Sequence, residues 1–243
     1  MIKKLLMVLI FFVLATGIVF AQKIPMNTIT VDTGPLIIGL AFKTVWDNVI
    51  DVFSGSDDEV EIGGSASGFG IGAQYERQLT KHVSAAFRFA YLGMGFNLAG
   101  SGYGASAKTS FDAKAYSFEG HGRFYPFSKT MFFLDALIGY EMILIGLSEE
   151  SSGFGYTSDK MSYTGNHLKY GAKLGWRIDF GKPGGFIFEP AFGWNFQTKL
   201  GSNFNSSEIA SRFNPDVADY VDLIAAWVFA GGPRVELGFG WRF

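Results

Sequence analysis

The last nine residues, Val235–Phe243, read VELGFGWRF. Val235, Leu237, Phe239, Trp241 and Phe243 take every second position, with Glu236, Gly238, Gly240 and Arg242 between them. A period of two puts these sets on opposite faces of a strand. The same alternation recurs upstream in three hairpins: Gly68–Gln78 with Val83–Asn97, Phe111–Phe124 with Met131–Leu147, and Gly165–Phe180 with Phe186–Thr198. In the second hairpin, Tyr116, Phe118, Gly120, Gly122 and Phe124 form one row, and Ser117, Glu119, His121 and Arg123 the other. Gln22–Thr33 is mixed and extended. Leu36–Lys43, with Leu36, Ile38, Leu40 and Phe42 on one face, reads as the first strand. Eight strands result. Short turns near residues 80, 128 and 183 alternate with long connections over 44–67, 98–110, 148–164 and 199–232, the asymmetry of a transmembrane barrel.

Two of the long connections change period. Trp46, Val49, Ile50 and Phe53 fall at helical spacing. Asn214–Pro215 resembles a helix start; Val217, Val221, Ile224 and Val228 follow at helical spacing, widened by Tyr220, Leu223 and Trp227, until Gly231–Gly232–Pro233. These two short helices flank the first and last strands, which become neighbours when a barrel closes. Both are expected at one side of the outer rim. There Trp46, Phe53, Tyr220 and Trp227 either pack together as a cap or form a hydrophobic recess.

Composition narrows the class. The chain has 32 Gly and 26 Phe, with aromatics at 17% and charged residues at 17%. That balance suits a sheet with an apolar outside and small residues within. Lys3 and Lys4, an apolar run from Leu5 to Phe20 and small Ala15, Gly17 and Ala21 read as a signal peptide over 1–21, leaving 22–243 as one barrel domain. Loss of Lys3 and Lys4 leaves 18 of the 20 basic residues against 22 acidic ones. Such a mild excess of acid argues against a nucleic-acid partner. Without cysteine there is no disulfide, thiolate metal site or cysteine-linked lipid. No later stretch has the roughly 18 apolar residues of a spanning helix, so a membrane crossing requires a closed barrel.

The ending VELGFGWRF resembles the C-terminal assembly signal of outer-membrane β-barrels. The whole pattern is similar to the small outer-membrane barrels: the OmpA membrane domain and the OmpX-like and OmpW-like proteins. The resemblance implies an all-β, eight-stranded antiparallel transmembrane barrel in the outer membrane of a diderm bacterium. It implies contact with outer-membrane lipid, and with the barrel-assembly machinery through Phe239, Trp241 and Phe243. The expected role is envelope-structural or surface-interacting. The alternatives are a narrow channel for small or hydrophobic solutes, with a small hydrophobic ligand as partner, and a lipid-modifying enzyme. No single family aligns residue by residue, so no family site transfers.

The alternation assigns to the lumen Glu76, Glu119, Asp135, Glu141, Glu189 and Glu236, and Arg88, Arg123, Lys169, Lys173, Arg177, Arg234 and Arg242, with His121. Charges in a narrow interior must be paired or hydrated. Turn positions predict the pairs His121–Asp135, Arg177–Glu189 and Glu141–Lys173, and an ion-pair network filling the lumen. Ser117 lies ~13 Å from His121 at strand rise, which leaves no nucleophile. No catalytic residue, cofactor or metal site is expected, since the three histidines lie in different strand regions.

Overall fold

The computed structural model describes residues 27–53, 60–126, 132–153, 157–180, 185–206 and 232–243. Strand β1 (Asn27–Asp32) leads into helix α1 (Gly34–Phe53). Then come β2 (Val60–Gln78), β3 (Val83–Gly102), β4 (Ala105–Phe124), β5 (Phe132–Ser152), β6 (Thr157–Trp176), β7 (Ile178–Phe180), β8 (Phe186–Ser206) and β9 (Gly232–Arg242). Every pairing is antiparallel, and β6 pairs with β8 while β9 pairs with β1. Eight strands therefore close a ring, and β7 continues β6 past Arg177 against the same neighbour, β8. Asn27 and Phe243 exchange backbone hydrogen bonds of 2.8 and 2.9 Å, so both ends of the barrel chain meet at the short-turn end.

Three expectations change. Leu36–Lys43 is not a strand but part of α1. Asp32 accepts a hydrogen bond from the Gly34 N–H at 2.8 Å, and Pro35 enters in the first turn, so the helix starts well before Trp46. Apolar Pro35, Phe42, Trp46 and Ile50 then share one side with Gly39, and that stripe outweighs the shorter period-two pattern. The closing strand consequently pairs with Asn27–Asp32, with Val31 opposite Phe239. The connections expected over 98–110 and 148–164 are mostly wall: β3 and β4 run on to a two-residue turn at Tyr103–Gly104, where both φ values are positive (51° and 78°). Finally, α1 is not a rim helix. The helix expected over 214–228 lies outside the described residues.

The long strands, 19–21 residues each, exceed the roughly 9–11 needed to cross a bilayer at a tilt. Their face chemistry shows why. In the half near the chain ends, the outer row is apolar and exposed: Ile29, Ile71, Phe87, Phe118, Ile138, Phe192 and Phe239. The inner row there is charged and buried: Glu76, Arg88, Glu119, Asp135 and Glu189. Past Tyr91 and Tyr116, which pair with ring centroids 5.2 Å apart, the chemistry inverts. Outside come Gly93, Gly95, Lys114, Asp112, Gly146, Ser148 and Ser162; inside come Leu92, Met94, Ala113, Ala115, Ile143, Ile145 and Tyr163, which form one buried cluster. The first half is built for lipid outside, and the second for water outside with a dry core. Tyrosine hydroxyls mark both borders. Tyr91 folds over Gly93, where a Cβ would collide with its hydroxyl, and at the other end Tyr75 donates to Asn27 at 2.9 Å.

Helix α1 belongs to the second core. Gly68 and Gly70 sit on the inner row of β2 and leave room for it. A Cβ on Gly39 would meet the Phe69 nitrogen at 2.7 Å, and one on Gly70 the Pro35 carbonyl at 2.6 Å. Phe42 packs on the buried cluster; Trp46 stacks on Phe96 at 4.2 Å, and Phe96 on Phe111 at 5.2 Å. Because β1 stops at Asp32, no strand among the described residues separates β2 from β9 above that level. The start of α1 fills the place, with Thr33 donating backbone N–H and hydroxyl to the Leu237 carbonyl, both at 3.0 Å.

Candidate functional site: the lumenal ion-pair network

Even-spaced positions on the strands converge on the lumen, and two hubs organise them. Glu119, on β4, is fully buried. It receives Arg88 at 3.0 Å, Arg234 at 2.8 Å, Lys169 at 3.2 Å and the Ser117 hydroxyl at 2.7 Å. Arg88 also binds Asp32, at the end of β1. Arg123, on the same strand and nearer the chain ends, is the opposite hub. It donates to Asp135 at 2.8 Å and Glu189 at 3.0 Å, to Glu76, and to the Gln74 amide oxygen at 3.2 Å. Arg177 binds Glu76 and Glu189, and the Tyr125 hydroxyl donates to Glu76 at 2.8 Å. Below, Phe133 lies under the Arg123 guanidinium (4.4 Å to the ring centroid) and packs with Tyr125 and Ala191, so aromatic rings line this end.

His121 joins the hubs. Its Nε2 lies 3.2 Å from Glu119 and its Nδ1 2.9 Å from Asp135. The imidazole thus bridges the two carboxyl groups, one at each ring nitrogen. Both signs are closely interleaved: the acids Asp32, Glu76, Glu119, Asp135, Glu141, Glu189 and Glu236 face Arg88, Arg123, Lys169, Lys173, Arg177 and Arg234, with His121 between Glu119 and Asp135. Burying so many ions costs desolvation that pairing only offsets, so the network adds little net stability. What it does is occupy the lumen with fixed charges of both signs.

Of the expected pairs, His121–Asp135 and Arg177–Glu189 form. Glu141–Lys173 does not. Glu141 sits opposite His167 and takes Lys169 at 3.5 Å, while Lys173 reaches Glu236 and, at 3.5 Å, Asp135. β5 runs on to Ser152 and β6 starts at Thr157, and this sets a different register from the one a long connection suggested. Arg234 and Glu236 fall in the lumen as expected. Arg242 lies at the end of the barrel and binds Asp179 and Gln78, both at 3.1 Å. Asp32 was missed because the first strand was placed elsewhere; an Asp shortly before Gly–Pro was the available signal. Trp46 sits in the core beyond the lipid belt. The Phe53 side chain, Tyr220 and Trp227 lie outside the described residues. Phe239, Trp241 and Phe243 are 41–56% exposed on the outer row. Ser117 and His121 both bind Glu119 rather than each other. Among the described residues no group of three His, Asp or Glu is placed to hold a metal.

A closed antiparallel ring, apolar outside and ionic inside over about one bilayer crossing, defines a small membrane-spanning β-barrel. No protein-family model and no curated protein matches the sequence. Among solved structures, the chain is similar to Ail, the attachment invasion locus protein of Yersinia pestis (15% identity, 91% of this chain, 100% of that one, TM-score 0.44). It is also similar to a major outer membrane protein from Thermus thermophilus (9% identity, 91% and 100%, TM-score 0.42).

Proposed function

We propose that the chain is an integral outer-membrane barrel with a sealed lumen, non-enzymatic, serving an envelope-structural or surface-interaction role. The inversion of face chemistry at Tyr91 and Tyr116 carries this reading: it fits a barrel half in lipid and half in water. The N-terminal signal pattern and the aromatic C-terminal strand support export and delivery to the barrel-assembly machinery through Phe239, Trp241 and Phe243. With the short-turn end periplasmic, the extramembrane half projects from the cell, where it is available to other surfaces. Planar-bilayer recording tests the seal. The wild type should give no discrete conductance, whereas replacing both hub residues by alanine should open steps. Reproducible steps from the wild type would overturn it. The second reading, a narrow channel for small or hydrophobic solutes, has one observation in its favour, a cavity of about 120 Å³ just beyond the network.

A further inference from the structure

That cavity has a chemistry the network does not use. It lies where the ionic lumen meets the dry core, with Ile38 of α1 and Leu92 of β3 on its apolar side. On its polar side are Glu141, Lys169, Asn195 and Arg234. They form one tier of the wall: β8 and β9 set Asn195 opposite Gly232, two residues from Arg234, and β6 sets Gly171, two residues from Lys169, opposite Asn195. Glu141, Asn195 and the Arg234 side chain are each at least nine-tenths buried. Yet five buried atoms on the lining residues have no hydrogen-bond partner among the described residues; Arg88 Nε and Glu236 Oε1 lie within ion-pair distance of partners, which leaves Glu141 Oε2, Asn195 Oδ1 and Arg234 Nη1 unmet. Leaving such atoms unmet in a buried site costs free energy, so a native structure normally supplies partners.

The three unmet atoms ask for different things. Two are oxygens, one on a carboxyl group and one on an amide, and as acceptors they require donors. The third is a guanidinium nitrogen and requires an acceptor. An anion alone would answer Arg234 and repel Glu141, and a cation alone would do the reverse. We infer that this cavity binds a small zwitterion, an ammonium and a carboxylate on a skeleton of a few carbons. The ammonium donates to Glu141 and Asn195, and the carboxylate accepts from Arg234. The volume of about 120 Å³ matches a molecule of that size. The cavity reaches Gly232 and Pro233, which among the described residues pair with β8 alone. The ion-pair network closes it below, so the site captures rather than conducts. The inference needs the folded barrel and its lumen, not the envelope role.

The test uses the full mature chain folded into detergent micelles, with heat-modifiable gel migration as the check of folding. Glycine is the probe, with acetate and ammonium as single-charge controls, and binding is read by saturation-transfer NMR. Glycine should bind the wild type at least ten-fold more tightly than either control. Glu141→Gln and Asn195→Leu should each weaken it about ten-fold or more; Asn195 takes no part in the ion pairs, so its variant keeps the test sound if Glu141→Gln fails to fold. Asn195→Asp, which keeps the acceptor, should retain binding. A folded wild type with no glycine signal would mean that the cavity holds water only. Acetate binding as well as glycine, unchanged in Asn195→Leu, would mean a simple anion site. Either result overturns the inference.

Discussion

Gly68→Ala is the most direct probe of how α1 is held. The added Cβ would overlap the Gly39 carbonyl oxygen and crowd its carbonyl carbon and Cα, the latter at 2.9 Å. All three are backbone atoms, so no rotamer change relieves the contact and the helix must retreat by roughly 1 Å or more. Overpacking of this kind costs about 1–3 kcal/mol. The ceiling is the docking energy itself, since Ile50 and the aromatics Phe42 and Trp46 each contribute up to about 1.5–3 kcal/mol by burial. A loss of one or two kcal/mol raises the open population about 5–30-fold. Hydrogen exchange on the peptide covering Gly34–Phe53 reads that ratio directly. Gly63→Ala, on the same strand but with open space around the new Cβ, is the control and should leave exchange unchanged. If Gly68→Ala exchanges as the wild type does, or if both variants behave alike, α1 does not pack on the inner face of β2.

Three further outcomes follow from the same physics. Ile138→Arg, in the middle of the apolar outer row, should destabilise the barrel in vesicles by about 2–4 kcal/mol in urea unfolding. Ser162→Arg, beyond the Tyr91–Tyr116 border, should change it by no more than about 0.5 kcal/mol; equal effects would remove the border. Glu119→Gln leaves Arg88, Arg234 and Lys169 without their shared carboxylate and should cost about 3–5 kcal/mol by the same assay. Phe96→Ala breaks the stack between Trp46 and Phe111 and should cost about 3–5 kcal/mol, with exchange in α1 rising more than in β8.

Much of the barrel is local in origin. A period of two sorts each strand into two rows wherever the strand is placed, so lumenal Glu119, His121, Arg123 and Glu189 were legible from alternation alone. The pair across the short turn near residue 183, Arg177 with Glu189, was legible too, because a short turn leaves little freedom of register; across the turn near 128 the register differs by two, so Asp135 lies opposite Arg123 and meets His121 diagonally. What tertiary structure decided is which distant groups share a charge. Ring closure brings Glu76 of β2 to Arg177 beside β6, and Arg234 of β9 to Glu119 of β4. No local pattern contains those distances. The same holds for Leu36–Lys43, whose residues satisfy both periods; the end of β1 at Asp32 and the bare glycines of β2 choose the helix. The inversion at Tyr91 is written in the residues of β3, β4 and β5. Its meaning depends on which face closes inward, because alternation divides a strand into two sides without saying which side meets lipid, water or its own lumen.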